Sequence, residues 1–494
     1  MNLRSLKAHF SWTCWEQSSR LAAWSFAQAL NDPLQIQNKV FQSILAQAEG
    51  SIWANHYKIT AQTSLAEFRE NVPVQDPSDF EKWTSRMMKG EKNVLINRPT
   101  DRLVPTSGTT GKRKLIPLTS ESRREFSIGI NLWVNNTLSR FPQMKSGRSY
   151  IATSPYIDIE NDNSSISIGF AKDSEYLGAV EKFILSHISS IPFSVSQLRG
   201  SEWRIATRNH LLATKDLTFL SLWHPSYIES LFERAELANL KNLWPKLAVI
   251  SCWADGACAD AASRLLSYFP QAQLIPKGIW LTEGIISLPW NEMYPIALPC
   301  GFFEFEAEGG NICGIDGLIV GHTYRPVLSN HAGLYRYRLG DLIRVTGFIK
   351  QTPCVRWVGR ADQISDLCGE KLSEAGVSAA IDSLGSHENA FFLPICEGLS
   401  QFYLFITSTE KELPVNLDSL DQILKKNIHY QWARELGQLD RLRHIEVDNS
   451  KLSEALEFIS IQRGEHRKAT RLIPNDYVQT VLDILDISRV EITR

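Results

Sequence analysis

At 494 residues and 43% hydrophobic, the chain is too long for one simple core and has ample apolar content to build two or three. Its 52 Lys and Arg nearly cancel its 54 Asp and Glu, with no long like-charge block, which excludes a nucleic-acid footprint or a polybasic membrane patch and points to a small substrate. No apolar run reaches membrane-span length, no secretion signal stands out, and the eight cysteines are scattered without a C-x-x-C pair or a His-Cys cluster at metal-ligand spacing, so a soluble protein of the reducing cytoplasm is expected.

From about Leu6 to Ala48, Trp15, Leu21, Trp24, Phe26, Leu30, Val40, Phe41, Ile44 and Leu45 recur at helical spacing, broken by Asn31–Asp32–Pro33. Two helices are predicted, with their aromatic residues in the core. A Pro- and charge-rich segment then leads through Val94–Leu95–Ile96 to the stretch around which the chain is organised: Thr106, Ser107, Gly108, Thr109, Thr110, Gly111, Lys112, Arg113 and Lys114. Hydroxyls, glycines and cations in close succession suit a loop that wraps polyphosphate. A P-loop would need four residues between its first glycine and Gly-Lys, whereas only Thr109 and Thr110 separate Gly108 from Gly111. A Gly/Ser/Thr surface turn beside a basic strand is the plainer alternative.

Thr119–Ser120–Glu121 starts a helix with Phe126, Ile130, Trp133, Val134 and Leu138 along one side. Strands are predicted at Ile151–Pro155, Leu217–Trp223, Leu247–Ser251 and Gln273–Ile275, and helices at Ile228–Ala238 and Ala259–Tyr268. This alternation predicts a predominantly parallel, helix-covered sheet, whose ligands would sit beyond strand C-termini. Two exits are then informative. Trp253–Ala254–Asp255–Gly256–Ala257 offers small residues that a flat base could approach, and Trp280–Leu281–Thr282–Glu283–Gly284 sets a hydroxyl beside a carboxylate, suited to a phosphate oxygen and to Mg²⁺. Either could be only a turn. Trp133, Tyr156, Trp223 and His224 could line an acyl pocket or simply fill the core.

In Tyr335–Arg336–Tyr337–Arg338–Leu339–Gly340–Asp341, Asp341 follows Gly340 in a tight turn and suits both ribose hydroxyls, or closes its own hairpin. Val355–Asp362 ends a strand, and a boundary there separates an N-terminal domain, residues 1–358, from a smaller α+β domain, residues 359–494. In the latter, strands are expected at Phe391–Ile395, Phe402–Thr407 and Leu442–Val447, with one amphipathic helix carrying Leu417, Leu420, Leu424 and Ile428. The cationic run Arg463–Arg471 reads as a loop.

Taken in order, TSGTTGKRK, WADGA, WLTEG, YRYRLGD and GRADQISDLCGEKLSE resemble the adenylate-forming acyl ligases. LWPKLAVISCWADGA, GHTYRPVLSNHAGLYRYRLGD and DLCGEKLSE resemble one branch in particular, the Gretchen Hagen acyl-acid amido synthetases, with bacterial members nearest, over about residues 35–475. The resemblance implies an α/β fold: a large N-terminal domain of helix-covered mixed sheets holding ATP and a carboxylic acid, and a mobile α+β lid. It implies phosphate contacts from Thr106, Ser107, Thr109 and Thr110 within the loop that Gly108, Gly111 and Lys112 complete, and adenine contact at Gly256 and Ala257. It also implies Thr282 on the α-phosphate, Glu283 on Mg²⁺, Asp341 and Arg360 on the ribose, and a hinge at Asp362. Lys468 would bridge acid and α-phosphate, although His466–Arg467–Lys468–Ala469 departs from the plant pattern and leaves Arg467 as a rival. The expected reaction adenylates a small carboxylic acid and transfers the acyl group to an amine or amino acid. The alternatives are an acyl-CoA ligase and an inactive nucleotide-binding regulator.

Overall fold

The computed structural model describes residues 3–106, 114–152, 164–169, 179–198, 200–232, 234–237, 239–255, 258–307, 309–360, 364–384, 389–409, 415–462 and 471–488. The N-terminal helices run Leu3–Ala29 and Pro33–Ala48; Asp32 caps the second through Gln35 N, and Pro33 takes the first-turn position where its missing N–H costs nothing. One face of the first helix, carrying Trp12, Trp15, Ala23 and Phe26, is buried, as is Leu30 just beyond its end. Trp24, expected in the core, is 63% exposed, and Leu21 of the same periodic pattern is 74% exposed. At about 100° per residue they fall on the side away from that face.

Strands β1 (Arg102–Thr106) and β2 (Lys114–Leu118) form an antiparallel pair with Thr106 opposite Lys114. The helix Ser120–Arg140 follows, opened by a Thr119/Ser122 capping box. Strands β3 (Arg148–Ile151), β4 (Leu217–Ser221), β5 (Val249–Cys252) and β6 (Gln273–Pro276) make a four-stranded parallel sheet in that order. The helix expected at Ile228–Ala238 is instead two short ones, Tyr227–Leu231 and Arg234–Leu237.

The parallel sheet is not the largest. Strands β7 (Phe302–Ala307), β8 (Ile312–Cys313), β9 (Thr323–Ser329), β10 (Tyr337–Arg338), β11 (Asp341–Ile349) and β12 (Thr352–Arg360) form a six-stranded antiparallel sheet, so the parallel sheet expected from the strand-helix alternation is joined by an antiparallel one and the sheets are mixed, as the resemblance implied. Its path runs β12-β11-β9-β7-β8, with β10 on β9. The fold is α/β with several sheets.

Two compact units are delimited. The first comprises Met1–Thr106, Lys114–Pro225 and Arg234–Ala361; Asp362–Arg494 makes up most of the second. In the second, β13 (Ile364–Ser365) pairs with β14 (Leu372–Ser373), and β15 (Phe391–Glu397), β16 (Ser400–Ser408) and β17 (Arg443–Val447) form a three-stranded sheet. Period-2 alternation sends Phe392, Tyr403 and Phe405 into one apolar cluster and Phe391, Leu393, Phe402 and Leu404 into another, so this sheet is buried on both faces. The single helix expected through Ile428 is two, Leu417–Leu424 and Ile428–Glu435, each capped by an asparagine. Among the described residues no helix is long and apolar enough to cross a membrane. All eight cysteines are free thiols.

Candidate active site

The C-terminal edge of the parallel sheet gathers several of the residues singled out above. β5 leads into Trp253–Asp255 and the neighbouring β6 into a tight hairpin closed by the Trp280–Ile285 bridge. Leu281 and Gly284 exchange backbone hydrogen bonds at 3.0 and 3.2 Å, which puts Thr282 and Glu283 at the tip, both half-buried. Gly278, with φ +80, lets the chain pass Ser287, whose carbonyl oxygen would lie 2.5 Å from an added Cβ.

Asp341 is the first residue of β11 rather than a turn residue, and it is buried. The ladder sets it opposite Arg360, the last residue of β12, so two positions separated in sequence meet at one end of a hairpin. Trp357 Nε1 donates to Asp341 Oδ1 at 2.8 Å and fixes the carboxylate's orientation. From the same strand, Arg356 Nε donates to Asp255 Oδ1 at 2.8 Å while its guanidinium lies 4.4 Å from the Tyr294 ring centroid. That ion pair ties the turn after β5 to β12.

The YRYRLGD stretch is anchored from beneath. Arg336, at φ 47, donates to Glu304 Oε2 at 2.9 Å and to the Val72 carbonyl at 2.7 Å, and Arg69 reaches the same carboxylate at 2.8 Å. Glu304 is 1% exposed, and these two guanidiniums supply the hydrogen-bond partners its buried carboxyl group requires. The left-handed backbone at Arg336 is held by this network. Arg338 pairs with Asp76 at 3.0 Å and with Glu306. These arginines serve the architecture and leave Asp341 as the residue of the motif presented at the strand end.

Thr106 ends β1, and Ser107, Gly108, Thr109, Thr110, Gly111 and Lys112 lie outside the described residues, as do Tyr156, Gly256, Ala257, Asp362, Arg467 and Lys468. What borders them is described. In the second unit Glu374 accepts from Arg471 N and, at 3.0 Å, from Leu472 N, so a carboxylate of the GEKLSE motif fixes the point where the late basic run ends. The same motif folds on Glu370, which accepts from Leu367 N and Cys368 N at 2.8 Å and from the Tyr403 hydroxyl. Burial, reinforced by Asp366, pushes Glu370 up to about 7.

Of the aromatic candidates, Trp133 is buried in the core and Trp223 stacks obliquely on Trp253 at 5.6 Å. Burial, helped by Arg264, lowers His224 to about 3, so this ring is neutral at physiological pH. Between them stands a residue that the sequence reading missed. Lys277 is buried, donates to Ser221 Oγ at 2.6 Å and lies 4.5 and 5.0 Å from the Trp133 and Trp223 rings. Trp357, Arg356 and Asn330 were missed too. No local sequence signal existed for these three, because each acts through a pairing between segments distant in sequence.

Among the described residues no group of three or more His, Cys, Asp or Glu side chains could hold a metal by itself. A single carboxylate at a hairpin tip nevertheless fits Mg²⁺, which retains waters and takes most remaining ligands from phosphate oxygens.

The model of the GH3 family N-terminal domain matches residues 23–201, and that of the GH3 family central domain matches residues 294–360. The chain is 25% identical over 427 residues to the indole-3-acetic acid-amido synthetase GH3.15 of Arabidopsis thaliana, covering 70% of this chain and 71% of that protein. It is 22% identical over 448 residues to the jasmonoyl–L-amino acid synthetase JAR6 of Nicotiana attenuata, covering 72% and 74%. Among solved structures it is similar to the acyl acid amido synthetase AtGH3.15 in complex with 2,4-DB, at TM-score 0.61 and 19% identity over 94% and 95% of the two chains. It is also similar to a 2-hydroxyisobutyryl-CoA ligase, at TM-score 0.54 and 14% identity over 92% of each. These structural likenesses speak to the fold.

Proposed function

We propose that the chain, which GH3 family domain models match over residues 23–201 and 294–360, is a GH3 (Gretchen Hagen) family ATP-dependent acyl-acid amido synthetase, which adenylates a small carboxylic acid and passes the acyl group to an amine or amino acid. The observation that carries this reading is the shared sheet edge, where neighbouring strands β5 and β6 deliver Asp255 and the Thr282–Glu283 tip to the side on which ligands of parallel sheets gather.

The roles follow from residue chemistry. Thr106, Ser107, Thr109, Thr110 and Lys112, with Gly108 and Gly111 giving the loop its freedom, would wrap the β- and γ-phosphates. Gly256 and Ala257 would let the adenine lie close to backbone, and Asp341 with Arg360 would take the ribose. Thr282 would contact the α-phosphate. Glu283 would hold Mg²⁺, whose charge stabilises the departing pyrophosphate. Lys468 would neutralise the acid carboxylate and α-phosphate as they approach. The carboxylate oxygen bonds to the α-phosphorus as the bond to pyrophosphate breaks; the amine nitrogen then bonds to the acyl carbon as AMP leaves. No protein nucleophile is needed.

Pyrophosphate–ATP exchange across a carboxylic-acid library, followed by mass analysis with amino acids and with CoA, tests the reading. The expected result is acid-dependent exchange and an amide product. A thioester with CoA would make it an acyl-CoA ligase, and nucleotide binding without exchange for any acid would make it a regulator.

A further inference from the structure

The carbonyl of Glu283 is held from outside its own hairpin. Asn330 is 2% exposed, and its Nδ2 donates to Glu283 O at 2.7 Å. Its Oδ1 accepts from Ala332 N at 3.0 Å and Leu334 N at 3.4 Å. Only this orientation of the amide satisfies all three partners, since reversal would oppose donor to donor and acceptor to acceptor. The Glu283–Gly284 peptide is thus held on both sides: its N–H donates to Leu281 O at 3.2 Å within the hairpin, and its carbonyl accepts from the Asn330 amide strap outside it.

The Asn330 turn is itself clamped. Its backbone N–H donates to Leu334 O at 2.9 Å, and Gly333, at φ +88, lies so close to Leu95 that an added Cβ would come within 2.8 Å of the leucine Cβ. Thr119 Oγ1 donates to His331 O at 2.9 Å. The His331 ring spans Glu125 Oε1 at 2.7 Å and Ser43 Oγ at 2.9 Å. A clamped turn thus reaches across to the tip of the hairpin, beyond the last backbone bonds that Leu281 and Gly284 exchange.

We propose that Asn330 is a positioning residue for the metal ligand Glu283: its amide fixes the peptide plane that aims the Glu283 carboxylate at a divalent cation bound with nucleotide. This rests on the ligase reading and on the role given to Glu283. Freed of the strap, the carboxylate samples orientations away from the cation, and misplacements on the scale of 1 Å cost about 10²-fold in rate.

The test compares Asn330→Asp, which keeps the turn's acceptor and loses the donor, with Asn330→Ser, whose hydroxyl is too short for the strap, and with Glu283→Gln. The readout is Mn²⁺ affinity by electron paramagnetic resonance in the presence of a non-hydrolysable ATP analogue, alongside thermal unfolding. At least one Asn330 variant is expected to keep the wild-type melting temperature within a few degrees, to bind the metal-free analogue normally and to bind Mn²⁺ roughly tenfold more weakly. Wild-type Mn²⁺ affinity in a folded Asn330 variant, with weakened binding in Glu283→Gln, overturns the strap alone. Wild-type affinity in Glu283→Gln removes Glu283 as the ligand and the strap with it. Loss of Mn²⁺ binding only in proportion to unfolded protein assigns Asn330 a purely structural part and also overturns the proposal.

Discussion

Asp341 and Trp357 are separated by 16 positions in sequence and meet only because β11 and β12 pair. A carboxylate held by an indole N–H is a preorganised acceptor, so its effect on nucleotide binding divides into two measurable parts. Asp341→Ala is expected to raise the KM for ATP about tenfold or more while leaving the KM for the acid unchanged, the mark of a contact made before chemistry. Trp357→Phe removes only the positioning bond, worth about 1 kcal/mol, and should raise the ATP KM roughly two- to fivefold. Initial rates with each substrate varied in turn check both, and unchanged ATP kinetics in Asp341→Ala would remove it from the site. The carboxylate itself was legible in the sequence, because an aspartate after glycine at the end of an aromatic-basic run is chemically conspicuous. Its indole partner was not, since a hydrogen bond across a hairpin depends on register, and a bulge between Leu342 and Ile343 shifts that register.

A second carboxylate at this scale predicts a pH dependence. Glu370 is raised from an ordinary value near 4.5 to about 7, so its protonated form favours the folded C-terminal unit. That contribution is complete below about 4.5 and is lost as pH rises through about 7. Relative to Glu370→Gln, the wild type should therefore lose stability between pH 5 and 7, at up to ~1.4 kcal/mol per pH unit, and level off above. Protection of the β16 amides, corrected for intrinsic exchange, measures it; a difference between the two proteins that stays flat across this window would mean that Glu370 is ionised throughout.

At the scale of elements, local patterns were legible and pairings were not. Helical spacing and Asn31–Asp32–Pro33 located the first two helices, and short apolar runs located β4, β5 and β6 within a few residues. The six-stranded antiparallel sheet escaped because β9 sits between β7 and β11, an order that adjacency in sequence does not reveal. The break after Leu424 escaped because Leu420, Leu424 and Ile428 keep helical spacing across it; Asn427, which caps the next helix, was the missed signal. The late basic run was legible by composition, and the structure adds its anchor: the Glu374 carboxylate accepts two successive backbone N–H groups where that run ends. If Lys468 is the cation at the transferring group, Lys468→Ala should lower pyrophosphate exchange about 10²–10³-fold with ATP binding retained. Glu374→Ala should reproduce part of that loss through kcat, because the anchor rather than the cation is removed. An active Lys468→Ala beside an inactive Arg467→Ala would transfer the role to Arg467.

At the scale of the whole molecule, the chain passes from β12, which ends at Arg360, to β13, which begins at Ile364, and the contacts divide it into Met1–Ala361 segments and Asp362–Arg494 at that same crossing. Only a few backbone torsions lie between the two strands. A reaction with two dissimilar steps, attack on phosphorus and attack on an acyl carbon, sets different demands on one small site, and Lys371 and Lys468 stand near opposite ends of the C-terminal segment in sequence. Rotation about the crossing would let each step use a different face of that unit. Proline at Asp362 would fix φ near −65° and remove one N–H, restricting rotation there. The expected outcome for Asp362→Pro is therefore a split: pyrophosphate exchange within a few-fold of wild type, and amide formation from preformed acyl-adenylate reduced by ~10²-fold or more, as for a misplaced catalytic geometry. Rapid-quench measurement of both steps on one preparation, with melting temperature as the control for folding, decides it. Equal loss of both steps in folded protein, or survival of both, would place the pivot elsewhere or make the C-terminal unit a fixed wall throughout the reaction.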